Sequence, residues 1–363
     1  MTPTHFKAGL WLCASATLLL SACGDSNDSD TQNTAGASAN SESVRFVAFG
    51  DAGTGSERQI AVGNAMAEVC QVRGCDFALE LGDNFYLSGV QSVDDEQFES
   101  KFEIPYENLQ VPVYVTLGNH DNSQGPGEGS DNSRGDYQVE YHYLAGRTSD
   151  KFRMPARYYS FSAPADSKTP LVEFFSLDSN PLTAILSDLN PSWNPITYGQ
   201  EQLSWLTEAL QTSTAHWKIA FAHHPYISNG LHGNAGNYDG IPALPVITAS
   251  GQPWKEFLES SICAEGVDLF LQGHDHDLEW LEPVESCGNT HFVVSGAAEG
   301  PRPFGDASRN ASFWQVDNQL GFFWFEITRD AMTGAAYVLD GLELPSAGGR
   351  PAAAFEQTVS KPE

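Results

Sequence analysis

The chain has 363 residues, with 47 Asp and Glu against 18 Lys and Arg, a formal net charge of −29. Hydrophobic residues make up 41%, which excludes a wholly disordered chain, and the 33 Gly and 20 Pro keep no period, which excludes a collagen-like rod. An acidic excess of this size disfavours nucleic acid and anionic lipid as partners, because a phosphate backbone is repelled.

Residues 1–22 read as an export signal. Lys7 precedes an apolar run from Ala8 to Leu20, shorter than the roughly 20 residues that span a bilayer but suited to a signal core. The run ends in Leu20-Ser21-Ala22-Cys23, which resembles the cleavage box of bacterial lipoproteins. That resemblance implies a lipidated Cys23 and an exported protein, periplasmic or at the cell surface, that meets the membrane only through its anchor. An ordinary cleaved signal with an incidental Cys is the other reading. Residues 23–43 are small and polar and read as a flexible tether. The folded domain is expected over 44–343, followed by a disordered Pro-, Ala- and Gly-rich tail over 344–363.

Within the domain, Val44–Phe49 is a strand candidate, followed by a helix from Glu57 to Val72. Ser92-Val93-Asp94-Asp95 reads as a capping box leading into a helix that carries Phe98 and Phe102. Further strand candidates are Asp76–Leu81, Pro112–Leu117, Leu171–Leu177, Trp217–Ala222, Val267–Leu271 and His291–Ser295, rich in Val, Phe and Leu. Helical stripes at Leu203, Leu206 and Leu210, and at Trp254, Phe257, Leu258 and Ile262, read as core. Ser312 to Asp340 reads as mostly β. The alternation predicts an α/β fold of sheets covered by helices. Cys70, Cys75, Cys263 and Cys287 form an even set, which in an exported protein suggests two disulfides. Pairing by nearness gives Cys70–Cys75 and Cys263–Cys287, one of three connectivities; a four-cysteine metal site is the competing reading.

Five segments follow strand candidates and carry Asp, Asn or His: Gly50-Asp51-Ala52-Gly53, Gly82-Asp83-Asn84-Phe85-Tyr86, Gly118-Asn119-His120-Asp121, His223-His224-Pro225 and Gly273-His274-Asp275-His276. Loops at strand ends are where a rigid sheet presents reactive side chains. Six of the ten His lie in these loops or just beyond, which scatter would not produce. His274 and His276 stand two apart, so in extended chain both imidazoles share a face. Taken singly each segment is an ordinary turn; all five in this order point to a metal site.

Together the five resemble the metallophosphoesterase signature. The general pattern opens with Asp-x-His, but position 53 is Gly, and Tyr86 stands three residues after Asp83 instead. This combination resembles the purple acid phosphatases, and in particular the small tartrate-resistant type. The likeness runs from about 44 to 340 and takes in Gly89-Val90-Gln91 and Gln202-Leu203-Ser204-Trp205-Leu206. It implies a four-layer αββα sandwich, two mixed β-sheets flanked by helices. It also implies two metals: Fe(III) bound by Asp51, Asp83, Tyr86 and His276, and a divalent Fe, Zn or Mn bound by Asp83, Asn119, His223 and His274, with Asp83 bridging. Phenolate and carboxylates are hard anionic donors that suit Fe(III); imidazoles and an amide oxygen suit the divalent ion. The implied activity is an acid phosphatase that hydrolyses small phosphate monoesters by in-line attack of a metal-bound hydroxide. His120 would hydrogen-bond the phosphoryl group, and His232 would protonate the leaving oxygen. A phosphodiesterase or nucleotide hydrolase with the same centre is the alternative, to be decided by loops such as Asn122–Asp136, and a non-catalytic surface binding lipoprotein is the reading from another class. Three anionic ligands against five metal charges leave the site about +2, so small phosphate esters are attracted into an acidic chain.

Overall fold

The computed structural model describes residues 43–361, apart from 166, 187 and 244–247. The expected signal segment and tether therefore lie outside the described residues, save for Ser43. In chain order the elements begin with β1 (Ser43–Phe49), α1 (Glu57–Arg73), β2 (Phe77–Glu80), β3 (Val113–Val115), α2 (Ser133–Tyr143) and β4 (Phe152–Arg153). Then come β5 (Tyr159–Ala163), β6 (Val172–Ser176), α3 (Asn180–Thr183), α4 (Pro195–Thr212), β7 (Trp217–Phe221) and α5 (Gln252–Leu258). Next are β8 (Leu269–Gln272), β9 (Leu278–Leu281), β10 (His291–Ser295), β11 (Ser312–Val316), β12 (Gly321–Thr328) and β13 (Ala331–Val338). β14 (Ser346–Ala347), β15 (Arg350–Pro351) and β16 (Phe355–Ser360) close the chain.

Two seven-stranded mixed sheets result, in the orders β16-β13-β12-β1-β2-β3-β4 and β11-β9-β10-β8-β7-β6-β5. Period-two alternation sorts the side chains into layers. On β6, β7 and β8 the residues Phe174, Ile219, Phe221, Leu269 and Leu271 join the core between the sheets. Their neighbours Phe175, Ala220 and Phe270 join a second core with Leu206 and Leu210 of α4 and Trp254 of α5. Phe46 of β1 lies at the sheet–sheet contact: it stacks on Phe77 (5.5 Å) and Phe325 (5.1 Å) and meets the edge of Phe174 across the gap (5.3 Å). On the outer face of the first sheet, α1 buries Val62, Met66 and Val69; the Ser56 hydroxyl caps its start and Gly74, at φ 84°, ends it. Both expected disulfides are present, Cys70–Cys75 and Cys263–Cys287.

Two expectations need correction. No capping box forms at Ser92. Asp95 instead accepts from the amides of Gln91 (2.8 Å) and Gln97 (3.0 Å), and the following turn, Glu99–Glu103, is π-helical rather than α. Residues 345–361 of the expected tail are ordered. β16 pairs antiparallel with the outer edge of β13, placing Phe355 opposite Ala336. Its Pro, Ala and Gly content hid a short alternating strand in which Phe355, Gln357 and Val359 turn toward the protein and Glu356, Thr358 and Ser360 toward solvent. The Phe355 ring stacks on Trp314 at 5.5 Å. Phe355→Ala is expected to cost about 2 kcal/mol in denaturant unfolding; a frayed tail would leave the transition where it is.

Candidate metal centre

β1, β2 and β3 run parallel in one sheet, as do β7 and β8 in the other. The loops leaving their C-terminal ends carry Asp51, Asp83, Asn119, His223 and His274, the place where open α/β sheets present ligands. Asp51 (φ 58°), Asp83 (φ 54°) and His274 (φ 68°) all take the left-handed conformation, which costs a non-glycine residue roughly 1–2 kcal/mol. Hydrogen bonds within the cluster hold them there: Asp51 N donates to Gly82 O at 3.0 Å, and His274 N to Asp51 Oδ2 at 2.9 Å. Gly53 has a definite task. A Cβ at that position would collide with the carbonyl of Asn84, so only glycine lets the Tyr86 loop lie against it. Gly53 N then donates to Asp83 O (3.2 Å), and Tyr86 N to Gly53 O (2.7 Å).

All seven predicted donors come together. The Tyr86 hydroxyl is 3.1 Å from Asp51 Oδ1 and 3.2 Å from His276 Nε2, which is itself 3.5 Å from Asp51 Oδ1. Beside this group, His223 Nε2 is 2.9 Å from Asn119 Oδ1, 3.1 Å from His274 Nδ1 and 3.5 Å from Asp83 Oδ2. One ligand atom each from Asp51, Asp83 and His223 fits within 4.8 Å, so Asp83 stands between the two groups. Donors bound at about 2.1 Å to one ion, at about 90–110° to each other, lie about 3.0–3.4 Å apart. The spacing of this cluster fits that geometry.

The imidazole tautomers are set from behind. His223 Nδ1 faces Leu81 O (2.9 Å) and His276 Nδ1 faces Gly300 O (2.9 Å). A carbonyl only accepts, so each Nδ1 carries the proton and each Nε2 offers its lone pair to the cluster. His224 also lies near His223 and His274, but the hydroxyls of Ser179 (2.8 Å) and Thr183 (3.1–3.2 Å) occupy its ring nitrogens, a structural role.

Electrostatics within this cluster ask for a cation. Burial, then the neighbouring Asp83, pushes the Asp51 carboxyl well above its usual range. Burial and the two carboxylates likewise raise the Tyr86 phenol. For Asp83, burial is outweighed by His223 and His120, which hold it at about 2. Burial lowers His223, His274 and His276, the last to about 4, which favours the neutral imidazole that can ligate. A metal ion among the donors reverses the push on Asp51 and Tyr86.

A cavity of about 280 Å³ opens over the cluster, lined among others by Asp83, Asn119, His120, His232, His274 and Arg302. His120 is held by its Nδ1 against Leu87 O (2.7 Å). His232 is anchored twice: its amide donates to Asp275 Oδ1 (2.8 Å) and its Nδ1 meets Asp239 Oδ1 (2.9 Å). Burial lowers the His232 pKa, but Asp239 and Asp275 outweigh it and leave it raised. The Gly-rich segment Asn122–Asp136 contributes to the wall: Pro126 and Gly127 line the cavity, and Gly127 O accepts from Asn119 Nδ2 (2.9 Å). Arg157 ties that wall down through Asn122 (2.9 Å), the Asn132 carbonyl (2.6 Å) and Asp178 (2.9 Å).

Three residues at the site escaped the sequence reading: Arg302, Asp239 and Asp121. Asp121 stands beside His120 in the third segment, which was the available signal. Fully buried, it accepts from Gly118 N (2.7 Å), Asn84 N (3.1 Å) and Gln138 Nε2 (2.9 Å), tying the second and third loops together. Burial, then Asp83, raises its pKa to about 7.

A two-sheet sandwich with buried Asp, His, Asn and Tyr donors gathered at the strand ends defines a metal-dependent phosphoesterase fold and site. The sequence pattern of the calcineurin-like phosphoesterases matches residues 44–278, and the chain belongs to that family. Human tartrate-resistant acid phosphatase type 5 is 28% identical over 308 residues, covering 81% of this chain and 83% of that protein. Purple acid phosphatase 3 of Arabidopsis thaliana is 30% identical over 272 residues, covering 73% of this chain and 66% of its own length. Among solved structures, the fold is shared with GAP50, the anchor in the inner membrane complex of Plasmodium (TM-score 0.66, 16% identity, 88% of this chain and 90% of that one). It is shared too with a purple acid phosphatase from yellow lupin seeds (TM-score 0.55, 17% identity, 88% and 54%).

Asp121→Ala removes the acceptor shared by both loops without touching a donor. It is expected to weaken metal retention about 10- to 100-fold, the scale of outer-shell ligand partners, in a chelator competition followed by metal analysis.

Proposed function

We propose that this phosphoesterase is an acid phosphatase acting on small phosphate monoesters with two metal ions. The observation that carries the reading is the division of the donors. Asp51, Tyr86 and His276 form one group and Asn119, His223 and His274 the other, with Asp83 between them beside a cavity that holds His120 and His232. The oxygen-rich anionic group suits Fe(III); the imidazole and amide group suits divalent iron, zinc or manganese. When bound, such a pair supplies Lewis-acid activation of water and offsets phosphoryl charge. The relatives named as acid phosphatases at 28–30% identity support this choice among phosphoesterases.

The chain's own residues do the rest. His120, fixed through Nδ1 on the Leu87 carbonyl, would donate from Nε2 to a phosphoryl oxygen in its doubly protonated form. His232, with Nδ1 held by Asp239, keeps a proton at Nε2 for the leaving alkoxide, and its raised pKa keeps that proton bound at mildly acidic pH.

Three measurements test the reading. 4-Nitrophenyl phosphate should be cleaved in preference to bis(4-nitrophenyl) phosphate; the reverse order overturns it. Purified protein should contain iron and absorb in the visible through a Tyr86–Fe(III) charge-transfer band, and Tyr86→Phe should lose that band; an unchanged spectrum removes the iron assignment. Asp239→Asn takes away the charge that raises His232, so the proton is lost at lower pH. The alkaline limb of the kcat/KM profile should then move to lower pH.

A further inference from the structure

Arg302 lies in the cavity wall, and its mounting is unusually stiff. Its amide donates to His276 O (2.9 Å) and its carbonyl accepts from Asn318 N (3.1 Å). Two residues earlier, Gly300 O faces His276 Nδ1 (2.9 Å), so the segment is bonded to His276 on both sides. Pro301 and Pro303 flank it, each with φ set by its ring. The guanidinium, by contrast, makes no hydrogen bond or ion pair with any described residue. Elsewhere in the chain Arg45, Arg73 and Arg157 sit on Glu326, Glu356 and Asp178. A half-buried arginine left unpaired in the wall of this cavity is available to an anion from outside the chain.

Its position says which. Among the described residues lining the cavity, Arg302 is the one permanently charged cation. Its backbone is bonded to His276 of the first donor group, and it lines the same cavity as the leaving-group histidine His232. A phosphate monoester carries two negative charges and three non-bridging oxygens; a diester carries one charge and two. The additional oxygen and charge are what a preorganised guanidinium fork takes.

We propose that Arg302 recognises the additional anionic oxygen of a phosphate monoester and thereby sets the preference of the centre for dianionic monoesters over monoanionic diesters. This rests on the phosphatase reading above and adds to it a specificity-determining residue.

The test uses metal-loaded Arg302→Gln and Arg302→Lys, with metal content measured for each. For Arg302→Gln, KM for 4-nitrophenyl phosphate and the inhibition constant for inorganic phosphate should both rise about 10- to 100-fold, the scale of one charge-assisted hydrogen bond. Because the contact exists before and during reaction, kcat should move far less. The inhibition constant of bis(4-nitrophenyl) phosphate should change by no more than about threefold, the scale of an exposed charge contact. Arg302→Lys keeps the charge without the fork and should recover part of the loss. An unchanged phosphate constant overturns the proposal. So does an equal loss for the diester, or a loss that tracks missing metal, which would make Arg302 a support for the ligand set. A wild-type protein that binds phosphate, directly measured by calorimetry, but cleaves no monoester would overturn the phosphatase reading; the Arg302 result on phosphate binding would still stand or fall by itself.

Discussion

Asp51 and Asp83 place two carboxylates out of reach of water, within one 4.8 Å sphere that also holds His223. Like charges buried at this distance repel strongly, and a carboxylate taken out of water is costly unless paired. No lysine or arginine ion-pairs with either of them among the described residues; their neighbours are imidazoles. Without a cation the pair is relieved by a proton on Asp51; a multivalent cation would let both carboxylates ionise, and the surrounding groups hold them in place for one. The carbonyls of Leu81 and Gly300 set the tautomers, Asp121 ties two loops, and strained left-handed backbone puts Asp51, Asp83 and His274 at the strand ends.

A second constraint follows from replacing the first-loop histidine of the general pattern. With glycine at 53, the second loop closes onto the first, and Tyr86 reaches the place beside Asp51 and His276. The exchange changes donor chemistry from neutral nitrogen to potentially anionic oxygen, and it does so through backbone packing. A side chain at 53 would push the tyrosine away before any question of ligation arose.

Much of this was legible in the sequence, for stated reasons. Buried strands such as Val44–Phe49 announce themselves by continuous apolar runs. Donors fixed directly to strand ends stay in register with those runs, so Asp51, Asp83, Asn119, His223, His274 and His276 could be named in advance. Other features are settled by partners far away in the chain. Arg302 lines a cavity built by residues far from it in the chain, from Asp83 to His276, and nothing in Gly300-Pro301-Arg302-Pro303 says so. Asp239 reaches His232 only after a loop turns back through a left-handed residue, φ 54° at Asp239 itself. β16 has too few apolar residues to read as a strand until β13 supplies the edge it pairs with.

The position of β1 carries a consequence for how the molecule is made. β1 lies inside its sheet, with β2 on one side and β12 on the other, and Ser43 pairs with Thr328. A chain synthesised from its N-terminus therefore holds its first strand half-paired until nearly all the rest exists. Contacts of such long sequence separation form late and slowly, since the loop between them must first be closed. The apolar run Phe322–Phe325 of β12, followed by Met332 and Tyr337 of β13, is thus among the last pieces of the core to be made. A ribosome-bound fragment stopping short of β12 would hold all five donor loops but leave β1, which carries the first of them, as an open strand edge.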